Sequence, residues 1–281
     1  MSEKQHSIVE WIVPLAFIAA AGWAIWHIPA YMLTIAPPSD ESLFGQVRSI
    51  HERNDVTPDA AGLIGFIDVW DLLAIVMLPV LAIFGTMTVR RAGMEFPSWR
   101  AADRLSVFLG RVTMMLIALL TSVMLYEVFL RYVIERPTLW ANELSLWLAG
   151  FVFLLAGLYA MQQRSHIRIF LLYDVVPRWM QKMFDVISTA LILLFAFFLV
   201  FGSYNQVFIN KLYRWETFGT AFDPPLPATI QPMILIAVTL VGLQAVVNLI
   251  SDWNAEPESH VGPDDIDEEE IEALKRTLGA D

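Results

Sequence analysis

Residues 180–209 read MQKMFDVISTALILLFAFFLVFGSYNQVFI, with no charged residue after Asp185. A helix needs about 20 mostly apolar residues to cross a bilayer, and this stretch is clearly longer. At the helical rise it extends about 45 Å, which exceeds the apolar thickness of a membrane. The stretch therefore predicts a transmembrane helix that tilts or projects beyond the bilayer.

Comparable apolar stretches occur throughout the chain. Hydrophobic residues make up 57% of the 281 residues and charged residues only 17%, whereas a soluble domain carries about 25% charged residues. This deficit is explained if much of the protein surface faces lipid. The sequence predicts an all-α fold, an integral membrane helix bundle of about six transmembrane helices at 9–33, 64–88, 104–133, 139–162, 180–209 and 228–251.

The basic residues are distributed unequally among the loops between these helices. The second and fourth loops hold four bases each, Arg90, Arg91, Arg100 and Arg104, then Arg164, Arg168, Arg178 and Lys182. The alternate loops hold two each, Arg48 and Arg53, Arg131 and Arg136, Lys211 and Arg214. Because base-rich loops remain in the cytoplasm, we expect a multi-pass protein of the bacterial inner membrane with both termini cytoplasmic.

Three regions follow from this pattern. Residues 1–95 form a two-helix membrane extension with an outside loop, and its first helix exceeds the core of about 7–15 residues of a signal peptide, so we expect it to be retained. Residues 104–252 form a four-helix core. Residues 253–281 form an acidic cytoplasmic tail: from Asp252 onward there are eleven acids and two bases, which accounts for −9 of the net charge of −11. No basic surface suggests a nucleic-acid partner.

The segment at 167–176 is apolar but too short to span a membrane, and Pro177 follows it. Its flanking bases, Arg164, Arg168 and Arg178, suit a short helix that lies along the cytoplasmic interface. The alternative interpretation is an apolar extension of the fourth transmembrane helix. That fourth helix also contains Ala149, Gly150, Ala156 and Gly157, small residues that predict a seam of close helix packing.

Charged residues cluster at the predicted outer end of the third and fourth helices. Glu127 and Arg131 stand four residues apart, so they lie on one helix face and can pair. The tight turn that follows directs Glu143 back toward Arg131, which predicts a Glu–Arg–Glu cluster. Two interpretations remain open: a contact for another membrane subunit, or a clamp between two helices of the same chain.

Catalytic and metal-binding motifs have little support. The chain contains no cysteine and five scattered histidines, so we expect no metal site and no cofactor. Asp68 and Asp71 could bind a divalent cation, but carboxylates at a helix N-terminus also complement the helix dipole, and this second interpretation is favoured. Arg111 lies near the predicted inner boundary, where we expect it to extend toward lipid phosphates. A membrane enzyme acting through the two aspartates is therefore the weakest hypothesis.

Three blocks of sequence carry a resemblance to a known family. They are YEVFLRYV at 126–133, PTLWANEL at 137–144 and HIR at 166–168. In this order and spacing they resemble the small membrane subunit (DctQ type) of tripartite ATP-independent periplasmic (TRAP) transporters. The resemblance covers roughly 104–252, and the usual subunit has four spans, so the first 95 residues and the long acidic tail are additions.

The resemblance implies a function in transport. In such systems a periplasmic solute-binding protein captures an organic acid, and a large membrane subunit carries the ion-coupled transport pathway. The small subunit supports the large one and has no catalytic site of its own. The resemblance implies that the candidate interface or structural residues are Glu127, Arg131, Trp140, Glu143, His166 and Arg168. A self-sufficient small transporter or channel remains the alternative, although such proteins carry polar groups at the membrane midplane.

Overall fold

A computed structural model describes residues 8–35, 60–92, 95, 101–164 and 176–254. The α-helices within these ranges are α1 Val9–Trp26, α2 Ile28–Ile35, α3 Val69–Thr88, α4 Asp103–Phe129, α5 Trp140–Gln162, α6 Arg178–Tyr204 and α7 Leu226–Asp252. Two of them continue as π-helix, α4 through Leu130–Ile134 and α6 through Asn205–Tyr213. The short segment at 167–176 lies almost wholly outside the described residues, as does the acidic tail beyond residue 254.

Six helices are long and apolar enough to cross a membrane, which confirms the predicted fold class. The third and fifth of these spans, Asp103–Ile134 and Arg178–Tyr213, are 32 and 36 residues long when their π-helical ends are included. Both therefore exceed the length that a bilayer requires. The first span is shorter than predicted, because the α-helix breaks at His27 and restarts as α2.

The helices pack in a defined order. Helices α1, α3 and α4 contact one another, and from α4 the packing continues to α5, then α7, then α6. Side chains at the junction of α1, α4 and α5 form the main apolar cluster, which consists of Val13, Phe108, Leu109, Val112, Leu116, Leu155 and Leu158. The N-terminal helices are thus joined to the rest of the protein by a shared core.

Few residues of the candidate membrane spans are buried inside the protein. In the most apolar window of each span, 33% of the residues are buried in α7 but only 11% in the span formed by α6. Helix α6 packs mainly on α7 and on its own π-helical extension. Most of its surface is therefore left for lipid or for another protein.

Glycines mark the closest helix approaches. A Cβ atom placed on Gly85 of α3 would lie 2.2 Å from the ring of Phe108, and one on Gly150 of α5 would lie 2.7 Å from Ile230 of α7. The predicted small-residue seam is therefore present at Gly150. Gly157 lies outside this seam, because a Cβ atom there would meet nothing within 4 Å.

Candidate functional site

Glu127 is the centre of the cluster at the end of α4. Its Oε1 accepts a hydrogen bond from Arg131 Nη2 at 2.8 Å, and its Oε2 accepts from the backbone N–H and the hydroxyl of Thr138 at 3.0 and 2.5 Å. The carboxylate is 3% exposed, whereas the Arg131 side chain is 50% exposed. The pairing that the spacing of four predicts is therefore present, and it also fastens the chain that leads into α5.

The backbone geometry between the two helices explains why Thr138 reaches Glu127. The π-helical turn Leu130–Ile134 ends at Glu135, whose φ of 59° is left-handed. The N–H of Arg136 then donates to the carbonyl of Leu130 at 3.0 Å. The chain reverses within these few residues, so that α5 begins beside the end of α4.

Trp140 and several exposed residues complete this surface. The Trp140 ring stacks on the ring of Tyr126, which directly precedes Glu127, with centroids 6.2 Å apart. Tyr132 and Leu139 on either side of the turn are about three-quarters exposed. The junction between the end of α4 and the start of α5 thus combines a half-exposed guanidinium with aromatic and aliphatic side chains, a composition that is typical of protein contact sites.

Glu143 does not join this cluster, and the prediction of a Glu–Arg–Glu arrangement is wrong in that respect. Its Oε2 accepts a hydrogen bond from Thr220 Oγ1 at 2.6 Å. Thr220 belongs to the loop between α6 and α7, and Lys211 in the π-helical end of α6 pairs with Glu216 of the same loop at 2.5 Å. Glu143 therefore links α5 to the loop between α6 and α7. The two other candidate residues, His166 and Arg168, lie outside the described residues.

A buried polar network at the opposite ends of the helices has no counterpart among the predictions. Gln244 of α7 accepts from Ser106 Oγ at 2.7 Å and donates to Asp103 Oδ1 at 2.8 Å and to Asn248 Oδ1 at 3.0 Å. Asn248 in turn donates to the Met161 carbonyl of α5 at 2.6 Å. The network joins α4, α5 and α7. The sequence signal was the pair of amides four residues apart within an apolar helix.

A bidentate ion pair lies beside this network. Arg164 at the end of α5 donates from Nε and Nη2 to the two carboxylate oxygens of Asp252 at 3.1 and 2.8 Å. Arg178, at the start of α6, donates to the backbone carbonyl of Asp252 at 3.1 Å. Three helix ends are thus gathered at one residue, and the planar guanidinium suits this two-point contact.

Asp68 and Asp71 form a capping box at the start of α3, as the helix-dipole interpretation predicts. Asp68 accepts from the N–H groups of Asp71 and Ala60, and Asp71 accepts from the N–H of Asp68 and from Trp23 Nε1, all at 2.9–3.2 Å. Each carboxylate oxygen therefore already has a donor, and His27 Nδ1 lies 3.7 Å from Asp71 Oδ1. This arrangement does not present the free oxygen ligands that a hard cation requires.

The same contacts determine the charge state of Asp68. Burial disfavours its charged form, but the N–H groups of Asp71, Ala60 and Trp70 together hold the pKa of this carboxyl below its usual value. The aspartate therefore remains an ionised helix cap. A further contact, from the Tyr31 hydroxyl to the Asp71 carbonyl at 2.8 Å, ties α2 to the same point.

Arg111 has a protein partner, which corrects the prediction that it extends to lipid phosphate. Its Nη2 lies 2.7 Å from Glu95 Oε1 and also donates to the Arg90 carbonyl at 3.2 Å. The side chain of Glu95 is buried, and its Oε1 also accepts from the Tyr159 hydroxyl at 2.8 Å. The Arg111 guanidinium therefore contacts the Glu95 carboxylate, which comes from the loop before α4, in place of a lipid phosphate.

Six helices that are long and apolar enough to cross a membrane, joined by polar contacts at their ends, are the architecture of a multi-pass membrane protein. Residues 120–255 match the family described as "Tripartite ATP-independent periplasmic transporters, DctQ component". The resemblance deduced from the motifs at 126–168 is confirmed by this match. It begins inside α4, so α1, α2 and α3 lie outside it.

A curated relative agrees with this assignment. The chain is 25% identical, over 129 residues, to the C4-dicarboxylate TRAP transporter small permease protein DctQ of Vibrio cholerae serotype O1. The alignment covers 45% of this chain and 50% of the relative, so the chain spans about half the length of the curated protein it matches. No solved structure matches the chain.

Proposed function

We propose that this chain is the non-catalytic small permease subunit of a TRAP-type secondary transporter. It supports a large membrane subunit in the ion-coupled uptake of an organic acid that a periplasmic binding protein delivers. The observation that carries the proposal is the family match over residues 120–255, which contains the Glu127 cluster, the Glu143 contact and helices α5 to α7. The named relative is a small permease of a C4-dicarboxylate transporter, and an organic acid is therefore the substrate class we expect.

The positions of the charged residues favour a subunit that assists transport over one that contains the transport pathway. From Val112 to Tyr126, from Leu144 to Gln163 and from Val186 to Asn210 the sequence contains no Asp, Glu, Lys or Arg. Intramembrane ionisable groups mark ion and substrate pathways in many transporters, and here the charged groups lie toward the helix ends. In this proposal the coupling ion and the substrate pass through the large subunit.

The orientation completes the proposal. With both termini in the cytoplasm, as the distribution of basic loops predicts, two segments face the periplasm. They are the π-helical turn Leu130–Ile134, which contains Arg131, and the loop between α6 and α7, which contains Thr220. The binding protein would approach from that side. The large subunit would cover the side of α6 that faces away from α7, since α7 is the main packing partner of α6.

The test is reconstitution with defined components. The chain is co-expressed with the candidate large subunit and binding protein of the same organism, and complex formation is measured by size-exclusion chromatography with light scattering. The natural ligand is identified by denaturing a sample of the binding protein and analysing the molecule that is released. Uptake of this ligand is then followed in proteoliposomes. We expect a stoichiometric complex and uptake only when all three proteins are present.

Variants at the outer turn separate a role in contact from general damage. Arg131→Gln removes a half-exposed guanidinium paired with Glu127, and Arg136→Gln removes an exposed one from the same turn. We expect R131Q to reduce complex formation or uptake and R136Q to retain both. Uptake that survives deletion of this chain would refute the supporting role, and flux through this chain alone would favour a self-sufficient transporter.

A further inference from the structure

A basic cavity of about 520 Å³ lies at the ends of α1, α3 and α4, outside the region of family similarity. Its lining includes four arginines, Arg90, Arg91, Arg104 and Arg111. The cavity has a size that is typical of small-molecule sites, which run from roughly 300 to 1,000 Å³. The arginines and the apolar residues of the lining both restrict the kind of ligand that fits the cavity.

The charge of the lining is not balanced by carboxylates. Arg111 pairs with Glu95 at 2.7 Å, and Arg90 lies 3.4 Å from Glu10. Among the described residues, Arg91 and Arg104 have no carboxylate within 4.0 Å, although Arg104 Nη1 donates to the Met87 carbonyl at 3.2 Å. The cluster therefore keeps an excess of positive charge with unused guanidinium donors, which are the groups that recognise phosphate.

The remaining wall of the cavity is apolar. It is lined by Trp11 of α1, by Val89, and by Met114 and Met115 of α4. One turn further into the membrane, Leu15 follows Trp11 and Ile117 follows Met114, and both side chains are exposed. Residues at these spacings share a helix face, so an apolar track leads from the arginines toward the middle of the bilayer.

We propose that this cavity binds an anionic phospholipid, with the headgroup phosphate at Arg91 and Arg104 and an acyl chain along the track of Trp11, Leu15, Met114 and Ile117. Basic pockets between transmembrane helices on the cytoplasmic side bind anionic headgroups, and the orientation proposed above places this cavity on that side. A soluble phosphate would use the arginines but not the apolar track. The site lies between the N-terminal extension and α4, and the lipid would join α1 and α3 to α4.

The first measurement uses the full-length wild-type chain, purified in a mild detergent and observed by native mass spectrometry. Phosphatidylglycerol and phosphatidylcholine with identical acyl chains are titrated separately, and inorganic phosphate is added as a competitor. We expect preferential binding of about one phosphatidylglycerol per chain, weakened by added salt, with no displacement by millimolar phosphate. Equal binding of the two lipids would overturn the proposal, and displacement by inorganic phosphate would assign the site to the free anion.

Paired variants locate the site. The double variant R91Q/R104Q should weaken phosphatidylglycerol binding at least about tenfold, because it removes charge-assisted hydrogen bonds to the headgroup. The control variant R136Q/R214Q removes two exposed guanidiniums at the opposite helix ends and should bind as the wild type does. Equal loss in both variants would refute the assignment to this cavity. If R91Q/R104Q does not fold, the lipid preference of the wild type still decides whether an anionic lipid is bound.

Discussion

Gln244 offers the sharpest test of the buried polar network, because it holds three hydrogen bonds between α4 and α7 and within α7. Replacement by leucine keeps the approximate side-chain volume and removes all three. Side-chain hydrogen bonds inside membrane proteins average about 0.6 kcal/mol, with a maximum near 1.7 kcal/mol. The bond to the Asp103 carboxylate belongs at the upper end, since bonds to charged groups are stronger. We therefore expect Gln244→Leu to destabilise the protein by about 3 kcal/mol.

The assay is reversible unfolding in mixed micelles, with the α-helical signal followed against the fraction of denaturing detergent. Thr239→Val is the matched control in the same helix, because among the described residues the Thr239 hydroxyl bonds only to the Leu235 carbonyl one turn earlier. We expect this control to change the stability by less than about 0.5 kcal/mol. A double-mutant cycle of Gln244→Leu with Ser106→Ala should show a coupling of about 0.5 kcal/mol or more. Equal effects of the Gln244 and Thr239 variants, or strict additivity in the cycle, would refute the reasoning.

Three further predictions concern other contacts. Gly85→Ala should cost about 1–3 kcal/mol, because its new Cβ would lie 2.2 Å from the buried Phe108 ring, whereas Gly157→Ala should be neutral in the same unfolding assay. Asp68→Asn should lower stability at neutral pH by about 0.3–1 kcal/mol, because an asparagine still caps the helix but loses the negative charge that interacts with the helix dipole. Since the pKa of Asp68 is lowered on folding, the wild-type advantage should be complete above pH ~4 and disappear as the pH falls below that value; an advantage that persists in acid would contradict this. Arg164→Lys should lose the two-point contact with Asp252 and increase protease cleavage near residue 164, while Lys182→Arg should not.

The sequence was sufficient to locate the six candidate spans, because each is a long and mostly apolar stretch whose length distinguishes it from a typical soluble helix. It also predicted the pairing of Glu127 with Arg131, since a separation of four residues fixes proximity within a helix. In contrast, the break at His27 coincides with contacts to a distant helix, because Trp23 and Tyr31 on either side of it both bond to Asp71. Local periodicity contains no such information.

The partners of the remaining charged residues were equally hidden. Glu143 bonds to Thr220, which is 77 residues away in the sequence, and Arg111 pairs with Glu95 from a loop that sequence reasoning placed outside the core. Each contact joins segments that meet only when the helices pack, and local sequence spacing contains no information on that packing.

Helix α6 exposes four phenylalanines, Phe195, Phe197, Phe198 and Phe201. In a membrane, the energetic consequence of this exposure differs from that of exposure to water. Acyl chains solvate an aromatic side chain about as well as another protein does, so the burial of these rings against a second subunit gains little from the hydrophobic effect. Recognition along α6 must instead come from complementary shape and from the lipid molecules released. We therefore expect the isolated chain to remain monodisperse in lipid nanodiscs, and a partner to be selected by how closely its own surface follows the ridges of this helix.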